Sequence, residues 1–359
     1  MRGIGIRKRL ALDAHAIQRR IAAELHELTY LFWECTLRCT LSCVHCGSDC
    51  TADPGVPDMP LEDFLRVLDG IASSVDPAGV MVCLTGGEPA LRSDLERCGR
   101  EILARGFPWG FVTSGTGLGA SRLRRMVSEG LGSVTVSLDG LRGSHDWFRG
   151  SAGSFDRACD VIGRAAGYGS LVMDVVTCVN RRNLDELDDI RGLLRDMGVA
   201  RWRIFTVFPR GRATEVPELF LDGSQFGQVL DFIAACRREP GMDVAYGCEG
   251  FLGRWEGEAR NGFFDCRAGV SIGSVLADGS ISACPSLRGD FIQGNIYTDE
   301  FMAVWNGRFG VMRRRDWMKS GGCASCRLWK WCTGGAMHLR DEKTGETLLC
   351  HPKWLGELR

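Results

Sequence analysis

An alternation of apolar runs and amphipathic helical patterns fills the first two-thirds of the chain and limits its fold more than any other feature. The apolar runs predict six β-strands, at residues 29–35, 80–84, 109–113, 133–138, 171–179 and 201–208. Because apolar residues recur every three or four positions between and after these runs, helices are predicted at residues 61–73, 91–105, 121–129, 155–166, 184–197 and 225–237. Apolar strands joined by helices favour a parallel sheet covered by helices. Six such units are too few to close an eight-stranded barrel, so we predict a partial barrel.

The chain is too long for a single barrel of about 250 residues, so its 359 residues predict a second, smaller domain. The 44 basic and 45 acidic side chains almost cancel, which gives no support for nucleic acid or an anionic membrane as a partner. No uninterrupted apolar run is long enough to span a bilayer. Polar residues also interrupt the N-terminal segment, so it cannot form a signal peptide. We therefore expect a cytoplasmic protein.

Residues 1–28 are predicted to form an N-terminal amphipathic helix. The apolar residues of this segment recur at helical spacing along one side, and they are Leu10, Ile17, Ile21, Leu25 and Leu28. We expect this stripe to pack on the barrel, and binding to a membrane surface is the alternative.

Three cysteines directly follow the first predicted strand with the spacing C-x3-C-x2-C, namely Cys39, Cys43 and Cys46. Three clustered thiolates can hold a four-iron cluster while one iron keeps no protein ligand, and catalytic metal sites keep such an open position. The chain has 17 cysteines, but it also has 45% hydrophobic residues and no export signal. Reduced, metal-bound thiols are therefore expected rather than a disulfide framework. A zinc knuckle is the alternative for the triad.

Polar or glycine-rich motifs follow the next predicted strands, at the edge where ligands gather in parallel α/β folds. Thr85-Gly86-Gly87-Glu88-Pro89 follows the second strand, where its glycines allow a close backbone approach and Glu88 can accept hydrogen bonds. The later strands end near Ser114, Ser137 and Asn180. A turn or a helix cap is the structural alternative for Ser137 and Asn180.

The cysteine triad and the Gly-Gly-Glu-Pro motif together resemble the signature of the radical SAM superfamily, and the resemblance extends over most of the chain. It implies a [4Fe–4S] cluster on the triad whose open iron chelates S-adenosylmethionine. An external donor would supply the electron that releases a 5′-deoxyadenosyl radical from this cofactor. By the same resemblance, the residues that contact the cofactor lie near the strand ends and are Gly86, Gly87, Glu88, Ser114, Ser137 and Asn180.

The C-terminal cysteines resemble the SPASM extension of that superfamily, which usually holds two auxiliary iron–sulfur clusters. The resemblance implies that the cluster farther from the barrel has a complete ligand set in Cys323, Cys326, Cys332 and Cys350. The nearer cluster keeps Cys266 and Cys284, but Ala336 stands where the pattern has a further cysteine. This nearer site is therefore incomplete or atypical: it is absent, open to substrate at one iron, or rebuilt with Cys248, His338 or His351. A zinc ribbon is the alternative for these cysteines.

The fold class predicted from these features is α/β, with a partial (β/α)6 TIM-like barrel and a small C-terminal cysteine-rich, SPASM-like domain. We place the leading helix at residues 1–28, the barrel at 29–240 and the auxiliary domain at 241–359. The predicted function is a radical SAM enzyme that modifies a peptide or protein side chain by crosslinking, oxidation or epimerisation. The alternatives are dehydrogenation or rearrangement of a small molecule, and a non-catalytic iron–sulfur or zinc module.

Overall fold

The computed structural model describes residues 4–358, and one ten-stranded sheet organises them. Residues 1–3 and 359 of the predicted end segments lie outside this range. Parallel strands follow one another in chain order, as β1 (Tyr30–Thr36), β2 (Met81–Gly86), β3 (Trp109–Thr113), β4 (Ser133–Ser137), β5 (Val172–Val179), β6 (Arg201–Thr206) and β7 (Asp243–Tyr246). The six strands predicted from the apolar runs match β1 to β6 within two residues at each end. The predicted α/β fold class is confirmed.

Helices connect these parallel strands, as the periodicity predicts, and one helix precedes them. They are α1 (Ile6–Leu25), α2 (Leu61–Ala72), α3 (Leu95–Ala104), α4 (Ala120–Ser128), α5 (Arg142–Arg149), α6 (Ser154–Ala166), α7 (Leu187–Asp196) and α8 (Gly223–Cys236). Helix α2 packs on the sheet, since Phe64 stacks on Trp33 of β1 with 4.2 Å between the ring centroids. The sequence analysis predicts no helix at α5, because the segment RGSHDWFR lacks apolar residues at helical spacing.

The C-terminal part adds three strands to the same sheet, namely β8 (Ile272–Val275), β9 (Ser280–Ser282) and β10 (Gly294–Asn295). Strand β8 runs parallel to β1, and β9 and β10 continue outward as antiparallel neighbours. The sheet is therefore open between its edges β7 and β10, and it includes strands from both sides of the division predicted at residue 240. The remaining helices are short: α9 (Phe301–Arg308), α10 (Gly310–Arg313), α11 (Trp329–Cys332) and α12 (His351–Trp354).

Helix α1 corrects the prediction about its apolar stripe, which does not pack on the barrel. The exposed fractions are 63% for Leu10, 52% for Ile17, 50% for Ile21 and 60% for Leu25, and only Leu28, beyond the helix, is buried. The opposite face carries Leu12 and Ala16 and is the buried one.

Polar contacts with the C-terminal part select this opposite face of α1. Asp13 accepts a hydrogen bond of 2.7 Å from Nε1 of Trp331 and pairs with Lys330 at 2.8 Å. Arg19 donates to the carbonyl of Trp331 at 2.6 Å. Within residues 4–358, no helix combines the length and the apolar character that crossing a membrane requires.

Candidate active site

The three cysteines of the predicted triad lie together in the loop after β1. Cys39 and Cys43 belong to one small buried cluster of side chains, and Cys46 packs against it. Burial, together with the nearby Cys43 and Cys46 thiols, raises the pKa of Cys39 to about 11. The pKa of Cys46 is instead lowered to about 5, chiefly by a hydrogen bond with the side chain of Cys50, and the backbone N–H of Cys50 also donates to the Cys46 sulfur at 3.4 Å. The structure thus brings the predicted triad into one site.

The Gly-Gly-Glu-Pro turn after β2 contacts the backbone that leads to the triad. The N–H of Gly87 donates to the carbonyl of Thr36 at 2.8 Å, and the N–H of Glu88 donates to the carbonyl of Arg38 at 2.9 Å. A Cβ atom on Gly87 would lie 2.2 Å from that Arg38 oxygen. The close approach that these glycines allow is therefore to the triad loop itself, and their contact with a cofactor stays a prediction.

The C-terminal end of α5 holds the middle of the same loop. The N–H of Ser42 donates to the carbonyl of Arg149 at 3.1 Å, and the N–H of Val44 donates to the carbonyl of Phe148 at 3.0 Å. The imidazole of His45 stacks on Phe148, with 4.2 Å between ring centroids and 4° between the ring planes. Helix α5, which the sequence analysis did not predict, thus supports the loop between Cys43 and Cys46.

The loop after β6 closes on the triad loop from another side. Arg212 donates from Nε to the carbonyl of Cys43 at 2.9 Å and from Nη1 to the carbonyl of Cys50 at 3.2 Å. Gly211 has a φ of +54°, and a Cβ atom there would lie 2.2 Å from the carbonyl oxygen of Cys46. The backbone of the cysteine loop is therefore fixed by protein contacts on several sides.

A guanidinium that is mostly shielded from solvent lies beside the triad, and sequence reasoning assigned it no role. Nη1 of Arg149 lies 3.7 Å from the sulfur of Cys43, and the same side chain pairs with the buried Asp139. Asp139 also accepts a hydrogen bond of 2.7 Å from the N–H of Cys178. Burial raises the pKa of Cys43 while the charge of Arg149 opposes that rise, so Arg149 favours the thiolate that iron requires. The sequence signals for Arg149 are the Arg149-Gly150 pair and its position soon after the end of β4, and neither assigns it a role beside the triad.

Glu88 and Ser114 bind each other across the ends of β2 and β3. One Glu88 oxygen accepts from the hydroxyl of Thr113 at 2.8 Å and from the N–H of Ala90 at 3.2 Å. The other accepts from the N–H and the hydroxyl of Ser114 at 2.7 and 2.6 Å. Since a carboxylate accepts about four hydrogen bonds, these donors occupy Glu88, whose pKa burial raises. These hydrogen bonds from Ser114 to Glu88 fix the position of Ser114. Contact of Glu88 or Ser114 with the cofactor stays a prediction.

Ser137 and Asn180 lie at the ends of β4 and β5 and are both buried. The side chain of Asn180 accepts from the N–H of Arg182 at 2.9 Å and donates to the carbonyl of Cys178 at 3.3 Å. These bonds stabilise the turn after β5, which is the structural alternative left open by the sequence. The assignment of both residues to cofactor binding stays a prediction.

Four C-terminal cysteines line a single cavity of about 910 Å³, and they are Cys323, Cys326, Cys332 and Cys350. Burial and the thiols of Cys350, Cys323 and Cys326 raise the pKa of Cys332 to about 12. Arg340 donates to the sulfur of Cys323 at 3.4 Å. The structure therefore brings together the four residues that the sequence assigns to the farther auxiliary cluster.

Cys266 and Cys284 are assigned to the nearer cluster, and Cys248 is one of the candidate replacement ligands. Burial and the thiols of Cys266 and Cys284 raise the pKa of Cys248 to about 12. Two other candidate replacements have different partners. His338 packs on Phe208, and Nε2 of His351 lies 3.2 Å from the hydroxyl of Tyr246.

The donors at all three groups of cysteines are thiols, which are the usual ligands of iron–sulfur clusters. Across residues 4–358, no three His, Cys, Asp or Glu side chains stand in an arrangement that would hold a single metal ion.

Family models match both parts of the chain. The radical SAM superfamily model matches residues 33–194, and the model of the SPASM iron–sulfur cluster-binding domain matches residues 266–327. Mycofactocin maturase MftC of Mycobacterium tuberculosis is 30% identical over 317 residues, which cover 86% of this chain and 78% of that protein. An AdoMet-dependent heme synthase of Nitratidesulfovibrio vulgaris is 25% identical over 342 residues, which cover 89% of this chain and 91% of the synthase.

Solved structures show the same fold. SuiB of Streptococcus suis bound to S-adenosylmethionine has a TM-score of 0.68 at 18% identity, over 90% of this chain and 77% of SuiB. Native anSMEcpe with bound AdoMet and a peptide has a TM-score of 0.69 at 16% identity, over 92% of this chain and 95% of that chain. The chain therefore belongs to the radical SAM superfamily and carries its SPASM domain, and it is an enzyme that uses a [4Fe–4S] cluster and S-adenosylmethionine.

Proposed function

We propose that this enzyme modifies a side chain of a peptide or protein by hydrogen abstraction, followed by crosslinking, oxidation or epimerisation. The observation that carries this proposal is the likeness to mycofactocin maturase, which extends over 86% of the chain and so includes barrel and SPASM domain together. Structures of the same fold include SuiB with a precursor peptide and anSMEcpe with a peptide. The sheet, open between β7 and β10, also leaves a lateral side at which an extended chain could enter.

In this proposal, residues 29–240 form the radical SAM core, and Cys39, Cys43 and Cys46 hold its cluster. When bound there, the cluster and S-adenosylmethionine supply a 5′-deoxyadenosyl radical. Arg149 balances thiolate charge, because its guanidinium lies 3.7 Å from the Cys43 sulfur. Glu88 positions Ser114, whose hydroxyl and N–H it binds. Gly86, Gly87, Ser137 and Asn180 complete the proposed cofactor surface at the strand ends.

Residues 241–359 form the proposed auxiliary domain, in which Cys323, Cys326, Cys332 and Cys350 hold the farther cluster. Arg210 connects this domain to the mouth of the barrel, since it pairs with Glu342 at 2.8 Å and donates to the carbonyl of His338 at 3.2 Å. An external donor supplies electrons to the triad cluster. In this proposal, a substrate bound at the strand ends would lie between the two cysteine regions.

The test combines two readouts on anaerobically reconstituted enzyme. The enzyme is incubated with S-adenosylmethionine, a reductant and each short peptide encoded beside its gene, and 5′-deoxyadenosine and peptide mass are measured together. We expect one peptide to stimulate 5′-deoxyadenosine formation and to change in mass by crosslinking or oxidation, or to change in chromatographic retention and gain deuterium from D₂O by epimerisation. A peptide deuterated at the reacting carbon should transfer deuterium into 5′-deoxyadenosine. Cofactor cleavage with no change in the mass, the chromatographic retention or the deuterium content (in D₂O) of any peptide would contradict a peptide substrate.

Chemistry on a small molecule is the second candidate, and the heme synthase relatives favour it. One of them matches 89% of this chain, and an Fe-coproporphyrin III synthase of Methanosarcina barkeri is 26% identical over 329 residues. The same assay with iron coproporphyrin III in place of peptide discriminates the two candidates. A mass change in the porphyrin, with all peptides unchanged, would replace the peptide proposal with this one.

A further inference from the structure

We propose that helix α1 is a dimerisation surface, on which a second copy of this chain packs its own α1 in antiparallel orientation. The surface, called here the exposed α1 face, consists of Ile6, Leu10, Ala14, Ile17, Ile21 and Leu25. It includes neither of the two cysteine regions. The inference therefore goes beyond the proposed function and does not depend on the substrate.

The exposed α1 face concentrates apolar surface that the rest of the described chain does not cover. Within residues 4–358, twelve large apolar side chains are exposed, and five of them lie on this face, with Ile6 the most exposed at 72%. The opposite face of α1 is already occupied, since Leu12 and Ala16 are buried against the chain. Contiguous exposed apolar surface bordered by polar residues marks an interaction site.

The positions on the exposed α1 face follow the spacing of a seam between paired helices. The central positions are separated alternately by four and three residues, and they are Leu10, Ala14, Ile17 and Ile21. This is the repeat of apolar positions that paired helices bury between them. The same spacing continues to Arg7 at one end and to Glu24 at the other. The seam therefore has an apolar centre, one basic end and one acidic end.

The apolar centre is complementary to itself when two copies run antiparallel. With a two-fold axis halfway between Ala14 and Ile17, the small Ala14 lies opposite the large Ile17 of the second copy. Leu10 then lies opposite Ile21 of the second copy. A two-fold axis repeats each contact and closes the pair, so no further copy is added.

The charged ends decide the orientation and the occupant. Arg7 and Glu24 are both exposed, and within residues 4–358 neither side chain is in an ion pair. In the antiparallel pair, Arg7 of each copy lies opposite Glu24 of the other, so both ends carry opposite charges. In a parallel pair like charges would meet at both ends, which is unfavourable. Glu24 also disfavours an anionic membrane as the occupant, because its carboxylate would meet negative headgroups.

The size of the helix sets the expected strength of the dimer. Helix α1 has 20 residues and is therefore about 30 Å long. A pair of such helices lies at the low end of specific interfaces, below about 1,200 Å² in total. We expect a dissociation constant on the order of 10 µM. Below that concentration the chain is monomeric, and the exposed α1 face then adds nothing to the docking of α1 on its own chain.

Sedimentation velocity of the full-length, anaerobically reconstituted enzyme tests the pairing between about 1 and 200 µM. We expect the average mass to rise with concentration from that of one chain toward that of two. Leu10→Glu should raise the dissociation constant at least tenfold, because the new carboxylate would lie opposite Ile21 of the second copy in an apolar seam. Leu103→Glu is the matched control on α3, where Leu103 is 42% exposed, and it should leave the dissociation constant unchanged.

Charge reversal keeps the test independent of any loss of folding. Arg7→Glu and Glu24→Arg should each raise the dissociation constant about tenfold, because each places like charges at both ends of the pair. The double variant Arg7→Glu/Glu24→Arg should recover the parent value, since both opposite-charge contacts return. An equimolar mixture of the two single variants should likewise associate more tightly than either variant alone.

Two results would overturn the proposal. One is a parent protein that stays monomeric up to about 200 µM, and the other is a double variant that associates no better than the single variants. Flotation with vesicles of phosphatidylserine and phosphatidylcholine tests the membrane as the occupant. Vesicle binding by a monomeric parent protein, abolished by Leu10→Glu, would assign the exposed α1 face to a membrane instead.

Discussion

The triad loop and the C-terminal cysteine cavity are built in different ways, although both gather thiols. The triad loop is held by elements of the barrel region: α5 accepts from the N–H groups of Ser42 and Val44, and Arg212 donates to the carbonyl of Cys43. The four C-terminal cysteines surround a cavity of about 910 Å³ in a region whose helices α10, α11 and α12 have four residues each.

From this difference we infer that protein contacts shape the triad loop, whereas the C-terminal cavity depends on bound metal for its structure. Isolated helices shorter than about 12 residues are marginal in water, and small domains without a large core usually need a metal or disulfides. Metal binding to such a region is coupled to its folding. We therefore expect that the barrel holds the triad loop in place before metal binds, whereas a cluster bound in the C-terminal cavity would itself stabilise the surrounding region.

The largest effect is expected from Cys43→Ala, which removes one of three thiolates in the triad. Formation of 5′-deoxyadenosine should fall to background, and iron should fall by about four per chain. The C-terminal clusters should remain, because their thiols lie in a separate region. Iron analysis and chromatography of the products measure both quantities. Cys159→Ala is the control, and cofactor cleavage by a Cys43→Ala protein without the triad cluster would contradict the assignment.

Removal of iron from the whole protein should affect the two regions unequally. Anaerobic chelation is expected to speed amide hydrogen exchange in residues 320–350 by roughly tenfold or more, since local opening free energies fall where the metal supplies the frame. Exchange in β1 to β6 should change little, because burial and ladder hydrogen bonds protect these strands. Mass spectrometry of peptic fragments reports both. Equal loss of protection in the two regions would remove the distinction between them.

Gly87→Ala tests the preformed character of the triad loop. The new methyl group would lie 2.2 Å from the carbonyl oxygen of Arg38, and such overpacking costs about 3 kcal/mol. We expect a lower melting temperature and weaker retention of the triad cluster. Gly47→Ala is the matched control in the same loop, because a Cβ atom there meets nothing within 4 Å. Equal behaviour of the two variants would show that the Gly-Gly turn does not fix the loop.

The sequence predicts the barrel because apolar runs and helical periodicity are local signals, and β1 to β6 follow them closely. The cysteine sets are predicted because the spacing between metal ligands is also a local feature of the sequence. Arg149 has no such signal, since its contact with Cys43 depends on how α5 meets the loop after β1. The bonds between Glu88 and Ser114 likewise join the ends of two strands.

Helix α1 is the element on which sequence and structure disagree, and it gives the smallest and most selective test. An apolar stripe identifies one side of a helix but not the neighbour that the helix will meet. Here Leu12 is buried with 2% exposure, and Ile17 of the stripe is 52% exposed.

Leu12→Ala should therefore destabilise the docking of α1 by about 2 kcal/mol. This corresponds to amide exchange in α1 that is up to about 30-fold faster. Ile17→Ala should cost about 0.5 kcal/mol or less, as is usual for an exposed position. Hydrogen exchange in residues 6–25 measures both variants in the same way. If the stripe were the packed face, as the sequence pattern alone predicts, Ile17→Ala would have the larger effect and Leu12→Ala the smaller.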